Sequence, residues 1–130
     1  MSKPRVLIVE DNVDNFELVR FLLERAGYQV LSAANGIEGL DAAKREQPDL
    51  ILMDLSMPEL DGWNATARLK ADEATRAIPV LALTAHTLPG DRKRAIDAGC
   101  DGYISKPINV ASFDKLVATL LRQAKAGLQS

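Results

Sequence analysis

The chain has 130 residues, of which 47% are hydrophobic and 26% charged, and its formal net charge is −2. This length is typical of one domain with one core, and the composition is that of an ordinary globular protein rather than a disordered or disulfide-stapled one. The slightly acidic balance argues against binding to a nucleic acid backbone, and we expect the one local basic cluster, Arg92, Lys93 and Arg94, to lie on a solvated helix face.

The first third of the chain alternates strand and helix patterns. Residues 5–9 form an apolar, β-branched run that ends in Glu10 and Asp11, which predicts a buried strand. Apolar residues at helical spacing then run from Phe16 to Gly27, where a helix should end. Residues 28–33 predict a second strand. A second helix should follow to about residue 47, because Asn35 and Glu38 have the spacing of a capping box.

The stretch from Pro48 to Pro58 contains a second apolar run, which ends in the carboxylate of Asp54. A continuous apolar run of this length is typical of a strand that is covered on both faces. The run predicts a third strand that delivers Asp54 to the edge of a sheet. A third helix should follow from Trp63 through Lys70 and continue to about residue 78.

The last third repeats the alternation. Residues 80–83 predict a short strand that ends in Thr84, and a fourth helix should begin near residues 88–90 and end at Gly99. A fifth strand over 102–104 leads into Ser105, Lys106 and a proline, and a fifth helix should start at residue 109.

Five strands that alternate with five helices through short loops predict an α/β fold, a parallel sheet with helices on both faces. In such sheets ligands bind outside the carboxyl ends of the strands. The candidate site residues are therefore those at the strand ends: Glu10, Asp11, Asp54, Thr84 and Lys106.

Three carboxylates, a hydroxyl and an amine at one edge are the groups that phosphoryl transfer needs. Carboxylates about 4 Å apart repel by roughly 4 kcal/mol per pair at an effective dielectric constant of 20, so a cation should compensate them, and hard oxygen ligands favour Mg²⁺. Asp54 would be the nucleophile, Lys106 would hold a phosphate oxygen, and Thr84 would donate a hydrogen bond to another. A plain ion pair between Asp54 and Lys106 would explain those two residues alone but not all five.

Motifs at the strand ends resemble, in combination, those of the receiver domain of two-component response regulators. They are residues 6–11, residues 49–54 with Met57, Pro58 and Gly62 after them, residues 82–85, and residues 105–107. The resemblance covers essentially the whole chain. It implies a doubly wound, flavodoxin-like (βα)5 fold with strand order 2-1-3-4-5. It also implies one receiver domain over residues 1–130, with a folded core of about 4–123, similar to stand-alone regulators of the DivK type.

The resemblance also implies a role for each site residue. Asp54 would accept a phosphoryl group from a histidine kinase or histidine phosphotransfer protein. Mg²⁺ would be held by Glu10, Asp11, Asp54 and the backbone carbonyl of Ser56. Family members often carry two Asp residues where this chain has Glu10 and Asp11, a variation that affects metal geometry more than activity.

Thr84 and Tyr103 match the family's switch pair, which changes the face formed by helix four, strand five and helix five, where a downstream protein target would bind. Lys106-Pro107 matches a position where the family usually has a cis peptide. Ser56 and His86 stand where neighbouring side chains tune the lifetime of the acyl phosphate, although we interpret His86 as an ordinary loop histidine.

Three other functions fit the sequence less well. A Mg²⁺-dependent phosphohydrolase would use the same nucleophile, but its usual second Asp is replaced by Ser56. An interaction module that is never phosphorylated would not need the full set of site residues. A nucleotide-binding function is disfavoured because no glycine-rich phosphate loop follows strand one. With a single cysteine, no zinc-type ligand set and no export or membrane signal in the sequence, we expect cytoplasmic residence.

Overall fold

The computed structural model describes residues 3–55, 62–84 and 91–129. Within these residues strands and helices alternate, five of each, as the sequence predicted. The strands are β1 (Arg5–Val9), β2 (Gln29–Ala33), β3 (Leu50–Asp54), β4 (Val80–Thr84) and β5 (Gly102–Ser105). The helices are α1 (Val13–Arg25), α2 (Gly36–Glu46), α3 (Gly62–Ala71), α4 (Asp91–Ala98) and α5 (Val110–Gln129).

The five strands form one parallel sheet in the order β2-β1-β3-β4-β5, which confirms the predicted fold. Because all strands run in the same direction, their carboxyl ends lie at one edge. β1 and β3 are neighbours, with Val9 opposite Met53, and Thr84 at the end of β4 is opposite Ser105. The topology therefore brings residues 10, 54, 84 and 106 to the same edge.

Both faces of the sheet are covered, and this explains the continuous apolar runs. On one face, side chains of β1, β3 and β4 pack against α2, α3 and α4; on the other, alternating side chains pack against α1 and α5. The central strand β3 is buried along its whole length, and Leu50, Ile51, Leu52 and Met53 are all 0% exposed. A strand this deep holds its last residue, Asp54, in a fixed place.

The ends of α2 show how local sequence sets the helix bounds. Asn35 is the N-cap, and its side chain accepts a hydrogen bond of 2.9 Å from the Glu38 N–H, as the capping pattern predicted. At the other end Gln47 adopts a left-handed conformation, with φ of 48°, which is uncommon outside glycine. Its amide Nε2 donates to the carbonyls of Ala43 and Ala74, and these bonds stabilise the unusual backbone.

Helix α3 ends earlier than predicted, at Ala71, and turns occupy residues 73–77. Side chains draw the backbone out of the helix here. The Thr75 hydroxyl donates to the Leu69 carbonyl at 2.7 Å, and the Lys70 Nζ donates to the Ile78 carbonyl at 2.9 Å. Helical periodicity does not reveal such side-chain to backbone bonds, so the predicted end at residue 78 was wrong.

The start predicted for helix four, near residues 88–90, lies outside the described residues. Cys100 is buried, as expected of a small apolar side chain, and burial raises the pKa of its thiol. None of the helices in the described part of the chain combines the length and apolar character that a membrane span requires.

Candidate functional site

Two carboxylates lie side by side at the carboxyl edge of the sheet. Glu10 directly follows β1, where its backbone N–H donates to the Ala33 carbonyl at 3.0 Å, and Asp54 is the last residue of the adjacent strand β3. Both are nearly buried, with 5% of Glu10 and 4% of Asp54 exposed. Burying two carboxylates together is costly, and proteins retain such arrangements mainly at functional sites.

The amine of Lys106 lies between these carboxylates. Its Nζ is 3.2 Å from Glu10 Oε1 and 3.8 Å from Asp54 Oδ1. The backbone positions it, because the Lys106 N–H donates to the Thr84 carbonyl at 2.7 Å. The peptide between Lys106 and Pro107 is cis, as the resemblance implied. One positive charge therefore faces two negative ones.

Asp11 adds a third, exposed carboxylate. One oxygen from each of Glu10, Asp11 and Asp54 can be chosen so that all three lie within 4.8 Å of one another. We call these three residues the carboxylate cluster. Three hard oxygen donors opposite a single amine leave a net negative charge, and a divalent cation such as Mg²⁺ fits this donor set.

The electrostatics of Glu10 show that the cluster is short of positive charge. Burial, followed by a hydrogen bond with Asp54 and the negative charge of Asp54, raises the pKa of Glu10 from 4.5 to about 7, and Lys106 offsets only part of this. Near neutral pH the Glu10 carboxyl is thus partly protonated. A bound cation would take the place of that proton.

The two residues expected to form the switch pair lie on β4, the strand next to β3, and on β5, the strand beyond it. Thr84 is the last residue of β4 and is completely buried. Tyr103, on β5 opposite Ala82, is half-buried and packs against the core beneath α2, α3 and α4. The structure thus brings Glu10, Asp11, Asp54 and Lys106 together and places Thr84 at the same edge, whereas Ser56 and His86 lie outside the described residues.

Gly62 contacts the candidate site, although the sequence indicates it only as part of a motif. A Cβ atom at this first residue of α3 would lie 2.3 Å from the backbone oxygen of Asp54 and 2.6 Å from Leu55 Cα. The helix therefore begins in direct contact with the backbone of Asp54. Only three-dimensional proximity reveals this requirement for glycine.

We expect Gly62→Ala to lower the free energy of unfolding by about 2 kcal/mol, because the methyl group must displace backbone next to Asp54. Gly39→Ala is the matched control, since its Cβ would meet the Val9 side chain, whose nearest methyl group lies at 2.9 Å, and side chains adjust more easily than backbone. Urea denaturation of both variants measures the difference. An equal loss of unfolding free energy in the two variants would contradict the close approach of Gly62 to the Asp54 backbone.

Comparison with known proteins agrees with this geometry. Residues 6–119 match the response regulator receiver domain family. The chain is 46% identical over 119 residues to the polar-differentiation response regulator DivK of Brucella anthropi, an alignment that covers 92% of this chain and 97% of that protein.

Solved structures give the same result. The receiver domain of a Pseudomonas aeruginosa sensor histidine kinase, solved with a magnesium ion coordinated in its active site cleft, superposes with a TM-score of 0.85 at 37% identity, over 92% of this chain and 98% of that one. The Vibrio cholerae chemotaxis protein CheY4 gives a TM-score of 0.85 at 28% identity, over 92% and 99% of the two chains. The family match, the sequence relatives and the fold all agree, and the chain belongs to the response regulator receiver domain family of two-component signalling.

Proposed function

We propose that this protein is a DivK-like response regulator that accepts a phosphoryl group on Asp54 from a phosphohistidine donor, with Mg²⁺, and thereby changes its protein-binding face. One observation carries the proposal. Asp54 and Glu10 are nearly buried at the ends of adjacent strands with the Lys106 amine within 3.8 Å of both, so the proposed nucleophile and the proposed metal ligand lie beside one cation.

In the proposed transfer, an Asp54 oxygen attacks the phosphorus atom, the bond from phosphorus to the donor histidine nitrogen breaks, and that nitrogen keeps the electron pair. The Lys106 amine, which already faces Asp54, would hold one phosphoryl oxygen, and the Thr84 hydroxyl would donate to another. Glu10, Asp11, Asp54 and the Ser56 carbonyl would hold Mg²⁺. When bound, the ion would neutralise charge on the phosphoryl oxygens.

Phosphorylation would change the protein-binding surface through Thr84 and Tyr103. The two residues lie on neighbouring strands, and Tyr103 is half-buried, so a movement of its ring would change the surface of the protein. The affected surface would be the face of α4, β5 and α5, where a downstream protein target would bind. The change is a population shift, limited by how much better the phosphoryl group fits one state than the other.

The surroundings of the site support a protein as phosphoryl donor. Three apolar side chains in the first turns of helices at the carboxyl edge of the sheet are exposed: Val13 by 73%, Ile37 by 58% and Val110 by 41%. Apolar side chains exposed at the same edge of the sheet as the proposed phosphoacceptor would be available for contact with another protein. We propose a histidine kinase or phosphotransfer protein as that partner, no nucleic acid partner, and a cytoplasmic location.

Incubation with acetyl phosphate tests the proposal. We expect Mg²⁺-dependent incorporation of one phosphoryl group, detected by intact mass, and the mass shift should map to the peptide that contains Asp54. Beryllofluoride should bind under the same conditions. Folded protein that takes up neither reagent in the presence of Mg²⁺ would exclude the proposed function. Receiver domains are regulators, so repeated turnover of small phosphate esters would instead favour a phosphohydrolase.

A further inference from the structure

Helix α4 is held to the rest of the protein by little apolar packing. Among residues 93–98, only Ala95 is fully buried, and Ile96 is 59% exposed. Burying a single methyl side chain stabilises a helix position only weakly. Other contacts of α4 should therefore have a large influence on its position.

One such contact joins α4 to α3. The guanidinium carbon of Arg94 lies 4.4 Å from the centroid of the Trp63 ring, within the range of a cation–π interaction. Trp63 is itself half-buried and packs against the core on that side of the sheet. A side chain of the weakly packed helix is thus anchored on a ring that the core holds in place.

Both ends of this contact are connected to the phosphorylation site. Trp63 follows Gly62, whose backbone is in direct contact with the backbone of Asp54. Arg94 belongs to the helix that follows β4, and β4 ends at Thr84. A rearrangement around Asp54 and Thr84 can therefore change the relative positions of the ring and the guanidinium group.

We propose that the contact between Arg94 and Trp63 is a restraint that holds α4 against α3 in the unphosphorylated protein, and that the restraint weakens when Asp54 is phosphorylated. The second half of this inference rests on the proposed function. A contact that stabilises one state more than the other opposes the transition between them. By reciprocity, removing the restraint should favour ligand binding at Asp54.

Hydrogen exchange of the unliganded protein tests the restraint without any phosphoryl chemistry. Arg94→Met removes the charge and keeps most of the apolar stem, and it should speed exchange of the amides of residues 95–98 by about two- to five-fold, the size expected for an exposed cation–π contact. Arg94→Lys should retain part of the protection. Lys93→Met, an exposed neighbour on the same helix, is the matched control and should leave exchange unchanged. Unchanged exchange in Arg94→Met would overturn the restraint.

Titration with beryllofluoride and Mg²⁺ tests the coupling. Trp63 is the only tryptophan of the chain, so its fluorescence reports the contact directly in the wild-type protein. The half-saturating beryllofluoride concentration should fall about two- to five-fold in Arg94→Met and stay constant in Lys93→Met. Wild-type binding with no shift in Arg94→Met would overturn the coupling and leave the proposed function intact. Absence of binding by the wild-type protein would overturn the proposed function and the coupling, while hydrogen exchange would still decide the restraint.

Discussion

An Asp54→Asn protein should take up no phosphoryl group from acetyl phosphate and should still fold. The amide of asparagine has nearly the shape of the carboxylate, so the buried end of β3 can keep its packing, but the amide is not a nucleophile that forms an acyl phosphate. Labelling should fall to the background level of the assay, and circular dichroism should be unchanged. Undiminished labelling of the variant would place the phosphoacceptor elsewhere.

The same substitution should make the metal-free protein more stable. Asp54 contributes to the raised pKa of Glu10, which means that the two carboxylates repel each other across a nearly buried site. Removing one charge should raise the free energy of unfolding by about 1 kcal/mol near pH 7.5, as expected where function is maintained against stability. Asp41→Asn, at an exposed carboxylate of α2 paired with Arg45, is the control and should not stabilise the protein. A loss of stability in Asp54→Asn would mean that Asp54 has a mainly structural role.

The sequence alone was sufficient to predict the strands of the sheet and the edge at which the acidic residues lie. Buried parallel strands need apolar side chains on both faces, so their runs stand out, and the residue after each run must lie at the carboxyl edge. That rule alone placed Glu10, Asp54, Thr84 and Lys106 at one edge, as the structure has them. The strand order and the roles of these residues were implied by the family resemblance rather than by the patterns.

Other features depend on contacts between residues far apart in sequence, and the patterns could not predict them. Helix α3 ends where Lys70 bonds both to the Ile78 carbonyl and to Asp101, a carboxylate that precedes β5. Gly62 is required by the nearby Asp54 backbone, and Arg94 lies over the ring of Trp63, a residue that the sequence indicated only as the start of a helix. Each case is a contact between two separate segments of the chain, which periodicity along the sequence does not record.

Glu10 should make the stability of the metal-free protein depend on pH in a way that Glu10→Gln removes. The pKa of Glu10 is about 7 in the folded protein and 4.5 is its ordinary value, so the folded state holds the proton more tightly than the unfolded state. The resulting stabilisation is fully present below pH 4.5 and is lost as the pH rises through 7. The difference between the two pKa values corresponds to at most about 3 kcal/mol.

Glutamine is neutral at every pH, so Glu10→Gln and the wild-type protein should have similar stability at pH 5, and the variant should be the more stable by up to about 3 kcal/mol at pH 8. Urea denaturation in the presence of a chelator, at several pH values, measures this difference. Glu17→Gln, at an exposed carboxylate of α1, is the control and should show no comparable change. Adding Mg²⁺ at pH 8 should stabilise the wild-type protein more than Glu10→Gln. The glutamate carboxylate carries a negative charge that attracts the ion, and the glutamine amide is neutral. If the difference in stability between the two proteins stays constant from pH 5 to pH 8, the pKa of Glu10 is not raised by folding. The electrostatic argument for a cation at this edge of the sheet would then fail.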